Sequence, residues 1–211
     1  RLVEDGSLGR IVHFESHFDR WRPNVDPRWK DARVGGSWFD LGPHLVDQAL
    51  CLFGTPDAVT ADFATLRDGA PATDWFHVIL HYPTLRAVLH SNKLSADNSL
   101  RFAVHGTGGS WIKHGMDRQE PTILAGGRPS DEGLGIDPEP GLLTPADEAQ
   151  RQERVANEPG DYRLFWTALA AALQGKGTNP VPAGEALNVM RVLDAGVKSA
   201  QNRTTVDLQG P

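Results

Sequence analysis

Between Ala58 and Gly115 the chain runs through a succession of short β-like segments separated by tight turns, and this limits its fold more than any other feature. "AVTADFATL" (58–66) comes first; "WFHVILHY" (75–82) and "LRAVLHSNKL" (85–94) follow, joined by Pro83-Thr84, a pair suited to a hairpin turn. "RFAVHG" (101–106), the glycine-rich "GTGGSW" (106–111) and "WIKHG" (111–115) complete the series. Strands joined this tightly have no room for parallel crossovers, so they predict a largely antiparallel sheet.

Further strands and helices fit around this series. "GRIVHFESHFDRW" (9–21) alternates, with Val12, Phe14, Ser16 and Phe18 pointing one way and His13, Glu15, His17 and Asp19 the other, as a half-buried strand requires. A loop rich in Pro, Asp and Arg follows at 22–36. The spacing then predicts a helix starting near Gly42-Pro43 and ending at Gly54-Thr55-Pro56, with Leu45, Ala49 and Leu52 in one stripe beside Val46, Leu50 and Phe53. Residues 115–160 read as a long surface excursion, where "TPADEAQRQERVANE" (144–158) opens like a capped helix but lacks an apolar face. Two helices follow, at 161–175, with Asp161 as N-cap and a stripe of Tyr162, Phe165, Trp166, Leu169 and Leu173, and at 182–203, with Leu187, Met190, Leu193 and Val197. "TTVDL" (204–208) closes as a short strand. The layout predicts an α+β fold: a mostly antiparallel open β-sheet with helices packed on one face, the other left to solvent or a partner subunit.

Composition narrows the function classes. The 211-residue chain carries a net charge of -6 and no long basic run, which argues against nucleic acid as a partner. No segment has the apolar length of a membrane span, so no membrane partner is expected. The lone Cys51 permits no internal disulfide, fits a cytoplasmic location and reads as a small buried hydrophobe. The opening "RLVEDGSLGRIV" reads like the tail of a helix, with Gly6 at the C-cap position.

The segment "GGSWFDLGPHLVDQALCLFG" (35–54) holds the main chemical candidates. Asp40 and His44, four apart, share one helix face. A helix N-terminus favours the neutral imidazole, which with a carboxylate beside it can take a proton from a hydroxyl. From spacing alone the duller reading also stands: Asp40 caps the helix and His44 is a satisfied, half-buried side chain. Gly35 and Gly36 would let a substrate or another loop approach the backbone. Arg20, Arg22 and Lys30, with Trp21 and Trp29, could meet an anion or stack on a ring, or simply form a solvated loop.

Two further candidates are set aside. His13, Glu15, His17 and Asp19 hint at metal ligands, but alternate strand residues lie roughly 7 Å apart, so a polar sheet face is the better reading and no metal is expected. "HGTGGS" (105–110) lacks the lysine of a phosphate-binding loop and reads as a turn between strands; no GxGxxG follows a strand, so no cofactor-binding residue is assigned.

Taken together, "GRIVHFESHFDRWRP", "RWK" and above all "GGSWFDLGPHLVDQALCLFGTP" resemble the second domain of the Gfo/Idh/MocA oxidoreductases, NAD(P)-dependent dehydrogenases of sugars, cyclitols and related polyols. The resemblance continues through "HGTGGSWIKHGMDRQEPTILAGGRP" and from Pro159 to Gln201, and its middle segment looks most like the scyllo-inositol dehydrogenase-like branch. It implies that His44 accepts the substrate hydroxyl proton, that Asp40 orients His44 or holds the substrate, and that hydride passes from the carbinol carbon to NAD or NADP. Of the loop residues, Arg22, Trp29 and Lys30 are taken as the candidate substrate contacts; the resemblance further implies a homodimer or tetramer formed through the sheet face that holds Trp75, His77 and His81. The family's Rossmann domain and Glu-Lys-Pro segment have no counterpart here. Residues 1–8 are therefore expected to end a linker helix from that absent domain, with 9–211 forming the substrate-binding and oligomerisation domain, inactive by itself. Two alternatives remain: a non-catalytic sugar-binding or oligomerisation module of the same fold, and a metal-dependent isomerase or lyase built on the strand histidines.

Overall fold

The computed structural model describes residues 1–25, 36–148 and 150–208. Among these, nine strands form one sheet: β1 (Ile11–His17), β2 (Ala58–Ala64), β3 (Trp75–His81), β4 (Arg86–Asn92), β5 (Leu100–Gly106), β6 (Gly109–His114), β7 (Gly141–Pro145), β8 (Glu153–Val155) and β9 (Val206–Asp207). Their spatial order is β8-β7-β6-β5-β1-β4-β3-β2-β9. The pairings are antiparallel except β1 with β4, which run parallel. This is the expected α+β architecture. Four helices accompany the sheet: α1 (Ser37–Phe53), α2 (Gln119–Leu124), α3 (Arg163–Leu173) and α4 (Ala183–Asn202). No helix among the described residues is long and apolar enough to cross a membrane.

Period-2 alternation gives the sheet two unlike faces. Phe14, Val59, Phe76, Val78, Leu80, Leu89 and Val104 lie in the core against α1 and α4, while His13, Glu15, His17, His77, His81 and His90 take the opposite, half-buried positions. Trp38 of α1 is the largest fully buried side chain. Its Nε1–H donates to the Leu193 carbonyl of α4 at 3.1 Å, and its ring packs against Phe63 and Phe76 at 5.3 and 5.0 Å between centroids. Gly42 and Gly196 make this seat possible: a Cβ would come within 2.6 Å and 2.9 Å of the indole.

Several expectations need correction. The helix α1 starts at Ser37, so Pro43 lies inside it rather than in its first turn, and Asp40 is not the cap, which is Gly36. Trp38 and Leu41, two strong core residues, pull that extra turn onto the sheet despite the missing amide of Pro43. Cys51 is exposed, not buried, because it shares the outer face of α1 with Asp47, while the buried stripe runs through Trp38, Leu41, Leu45, Val46 and Ala49. Leu52 is also exposed. The "TPADEAQ" segment forms no capped helix: Thr144 and Pro145 end β7, and the excursion supplies β7, β8 and α2. Edge strands this short pair through their backbones and need no apolar period. The buried residues of α4 are Val192, Leu193, Ala195, Gly196 and Ser199, so its inner stripe includes Leu193 but not Leu187 or Met190. Residues 1–5 form turns with an α-type bond from Asp5 N–H to the Arg1 carbonyl at 2.9 Å, and Leu8 enters the core.

Candidate active site

Asp40, His44 and Gln48 follow one another at four-residue intervals along one face of α1, and all three line a cavity of about 1550 Å³. Asp40 is half-buried and His44 exposed within it. The helix start that sets this face depends on Gly36. Its φ is 76°, and a Cβ there would stand 2.2 Å from the Thr73 carbonyl, which also accepts the Ser37 N–H at 2.7 Å. The close approach anticipated for the glycine pair is therefore made by another loop of the chain. Gly35 lies outside the described residues.

The opposite wall comes from the sheet and from the segment following β1. The Phe18 ring lies 6.3 Å from the His44 ring, and the guanidinium carbons of Arg20 and Arg101 approach it to 4.8 and 4.9 Å. Arg101 is buried; it donates to the His17 carbonyl and, at 3.4 Å, to Ser16 Oγ, which in turn donates to Gln48 Oε1 at 2.9 Å. That chain ties the cavity face of α1 to β1. Burial lowers the Arg101 pKa to about 10, still well above neutrality, so a buried cation stands in the cavity wall.

Arg67 is an anchor of the same wall. Its Nε–H donates to Asp74 Oδ2 at 2.9 Å inside the protein, and its Nη1 reaches the Arg22 and Asn24 carbonyls at 3.0 and 3.1 Å. It thereby holds residues 22–24 at the cavity mouth, where the exposed Arg22 is a lining residue. The buried Lys113 pairs with the half-buried Asp137 at 2.8 Å, joining β6 to the excursion. Trp29 and Lys30 lie outside the described residues.

Asp40, His44 and Arg22 therefore line one cavity. Gln48, Arg67 and Arg101 were not anticipated. A register shift between Leu100 and Phe102 turns Arg101 toward the cavity, an irregularity that a charge at a strand start does not announce. The Thr107-Gly108 turn joins antiparallel β5 and β6 as expected. No helix follows it, so the described residues do not build a strand–glycine loop–helix dinucleotide cradle.

Comparisons with known proteins agree on one assignment. The family described as "Oxidoreductase family, C-terminal alpha/beta domain" (GFO_IDH_MocA_C) matches residues 1–208. The chain is 45% identical over 210 residues to the uncharacterised oxidoreductase YdgJ of Escherichia coli (strain K12), covering 98% of this chain and 61% of that protein. It is 35% identical over 214 residues to the scyllo-inositol 2-dehydrogenase (NADP(+)) IolW of Bacillus subtilis (strain 168), covering 99% and 60%. A Yersinia pestis structure superposes with a TM-score of 0.94 at 42% identity, covering all of this chain and 60% of that one. The chain thus spans about three fifths of the curated relatives it matches.

Proposed function

The chain belongs to the Gfo/Idh/MocA oxidoreductase family, as its C-terminal alpha/beta domain, and from this premise we propose that it is the substrate-binding and assembly part of a dehydrogenase acting on a sugar, cyclitol or related polyol. The observation that carries this reading is the alignment of Asp40, His44 and Gln48 along one face of α1, inside a cavity large enough for such a substrate. The relative named a scyllo-inositol 2-dehydrogenase supports the substrate class.

In this reading His44 accepts the proton of the substrate hydroxyl that becomes a carbonyl. Its exposed ring sits where a substrate can reach it, and Asp40, one turn earlier, orients it or binds a neighbouring hydroxyl. Gln48 and Arg22 supply further polar contacts, with Trp29 and Lys30 proposed to join them from the adjoining loop. NAD or NADP, held mainly outside this domain, would supply the hydride acceptor. Residues 9–211 then form the substrate-binding and oligomerisation domain, connected through residues 1–8, and it should show no turnover by itself. The protein is further proposed to be cytoplasmic, and a homodimer or tetramer through the open sheet face; light scattering that finds a monomer would remove that assembly.

The test is His44→Gln in the full-length enzyme. Loss of the proton acceptor should lower kcat/KM by about 10²–10⁴-fold. Thermal unfolding should stay unchanged, because the ring is exposed and packs into no core. A variant of full activity on the substrates accepted by the parent enzyme would remove His44 from the mechanism.

A further inference from the structure

The open face of the sheet gathers histidines from three neighbouring strands. His17 of β1 is paired in register with His90 of β4, and His90 with His77 of β3, so three imidazoles stand in one row across the sheet. Asp19, just past the end of β1, folds over this row. One carboxylate oxygen lies 3.3 Å from His17 Nδ1 and the other 3.6 Å from His90 Nε2. One ligand atom from each of His17, Asp19 and His90 lies within 4.8 Å of the other two.

The neighbours fix which atoms face inward. His17 Nε2–H donates to Glu15 Oε2 at 2.7 Å, which leaves Nδ1 to face Asp19. His77 Nδ1 and His90 Nδ1 lie 3.4 Å apart, and in the tautomer in which His90 donates to His77 its Nε2 is the nitrogen left to coordinate beside Asp19. Asp19 Oδ1 is held by the Asn92 N–H at 2.7 Å. Two ring nitrogens and a carboxylate thus converge; a proton on His17 Nδ1 satisfies the contact with Asp19, and a divalent cation that displaced this proton would meet the same three groups. Each ligand has a partner behind it, which is how metal-binding histidines and carboxylates are oriented.

We propose that His17, Asp19 and His90 form a binding site for one divalent transition-metal ion of the zinc type. Ligands about 2.0–2.1 Å from a tetrahedral ion stand about 3.3 Å from one another. His17 Nδ1 lies 3.3 Å from Asp19 Oδ2 and His90 Nε2 3.6 Å from Asp19 Oδ1, and with one atom taken from each residue the three lie within 4.8 Å, so the side chains must draw together on binding. Nitrogen and carboxylate donors without a thiolate suit zinc, cobalt or nickel, not calcium or magnesium. The fourth position faces outward from the sheet. Such an ion would brace the end of β1 against β4, directly behind Phe18 and Arg20, which line the cavity on the other side. The ligand set comes from two strands far apart in sequence, which is why spacing within β1 alone did not reveal it.

The experiment is a titration of untagged protein, dialysed against a chelator, with Zn²⁺ by calorimetry and with Co²⁺ by visible absorption. One equivalent should bind per chain, with the intense visible bands of a four-coordinate cobalt site. Asp19→Asn and His90→Gln should each weaken binding at least tenfold, and Glu15→Gln, which removes only the support of His17, by about 10–100-fold. His81→Gln, on the same face but hydrogen-bonded to Thr60 at 2.8 Å, should bind like the parent. Absence of saturable binding, or binding unchanged in His90→Gln, overturns the site. Should a variant fail to fold, X-ray absorption on the zinc-loaded parent decides: two imidazoles and a carboxylate uphold the proposal, any other ligand set overturns it.

Discussion

One set of strands makes two surfaces with opposite physics. Toward α1 and α4 it presents Phe14, Val59, Phe76, Val78, Leu80 and Leu89, all buried. Toward the other side it presents His13, Glu15, His17, His77, His81 and His90, none of them fully buried. The first surface is stabilised by area removed from water and by fit, so it is sensitive to volume and indifferent to protons. The second is stabilised by hydrogen bonds whose strength depends on charge. The difference teaches that β1, β3 and β4 each serve stability on one side and carry titratable side chains on the other.

The largest effect should come from the covered side. Trp38→Ala removes the indole that bridges α1, α4, Phe63 and Phe76 and leaves a cavity, for a cost of about 3–5 kcal/mol. Denaturant unfolding measures it, and the cost should be the same at pH 5 and pH 8. A loss under 1 kcal/mol would mean that the helix layer does not depend on this ring. Gly42→Ala probes the same seat from the opposite direction. Its Cβ would meet Trp38 Cε3 at 2.6 Å, and overpacking of this kind costs about 1–3 kcal/mol. A neutral or stabilising substitution would show that the indole has room to shift.

The covered side was largely legible in the sequence, because alternation and helical stripes report burial directly. Phe14, Leu45 and Ala49 fell where the periods placed them. What periodicity missed was set by contacts distant in the chain. The first turn of α1 is recruited by Trp38 packing under α4, β7 and β8 are held by edge pairing, and the inner stripe of α4 is set by where the helix meets β2. In the site, Asp40 and His44 were legible because four-residue spacing is local. Gln48 shares that spacing and went unnoticed beside a stronger pattern. Arg101 depends on a strand irregularity and the meeting of His17 with His90 on strand register, and neither is a local property.

On the open side the expected effect is smaller and follows pH. The hydrogen bond from His17 holds the Glu15 pKa down, against the effect of burial and with help from His13, at about 2 rather than 4.5. This contribution is complete above pH 4.5 and is lost as pH falls from there toward 2. For His17, burial works downward, but hydrogen bonds to Asp19 and Glu15 outweigh it and raise the pKa from 6.5 to about 9. That contribution is complete below pH 6.5 and is lost as pH rises through 9. The pair therefore stabilises most between pH 4.5 and 6.5. Solvent still reaches Glu15 and, less, His17, which keeps the effect below that of the core substitutions. With chelator present, the difference in Tm between the parent and Glu15→Gln should peak in that window and shrink on either side. A difference flat from pH 4 to 9 would break the contrast between the two faces.

The smallest effect should come from an apolar surface that nothing described here covers. The helix α3 carries Tyr162 at its N-cap, then Phe165, Trp166 and Leu173 along the stripe read from its sequence, yet it contains no buried residue. Trp166 is 65% exposed and Leu173 81%. Trp166 packs edge-on against Phe165, with 5.2 Å between ring centroids. Trp166→Ala in this chain should change unfolding stability by no more than about 0.5 kcal/mol, the range of ordinary surface substitutions. The same chemical change made at Trp38 and at Trp166 then separates residue type from environment. If the two costs converged, apolar identity rather than covering would govern stability. If they differ as expected, the stripe in α3 contributes nothing until another surface is laid upon it, whereas the stripe in α1, covered by β3, β4 and α4, is the layer from which His44 projects.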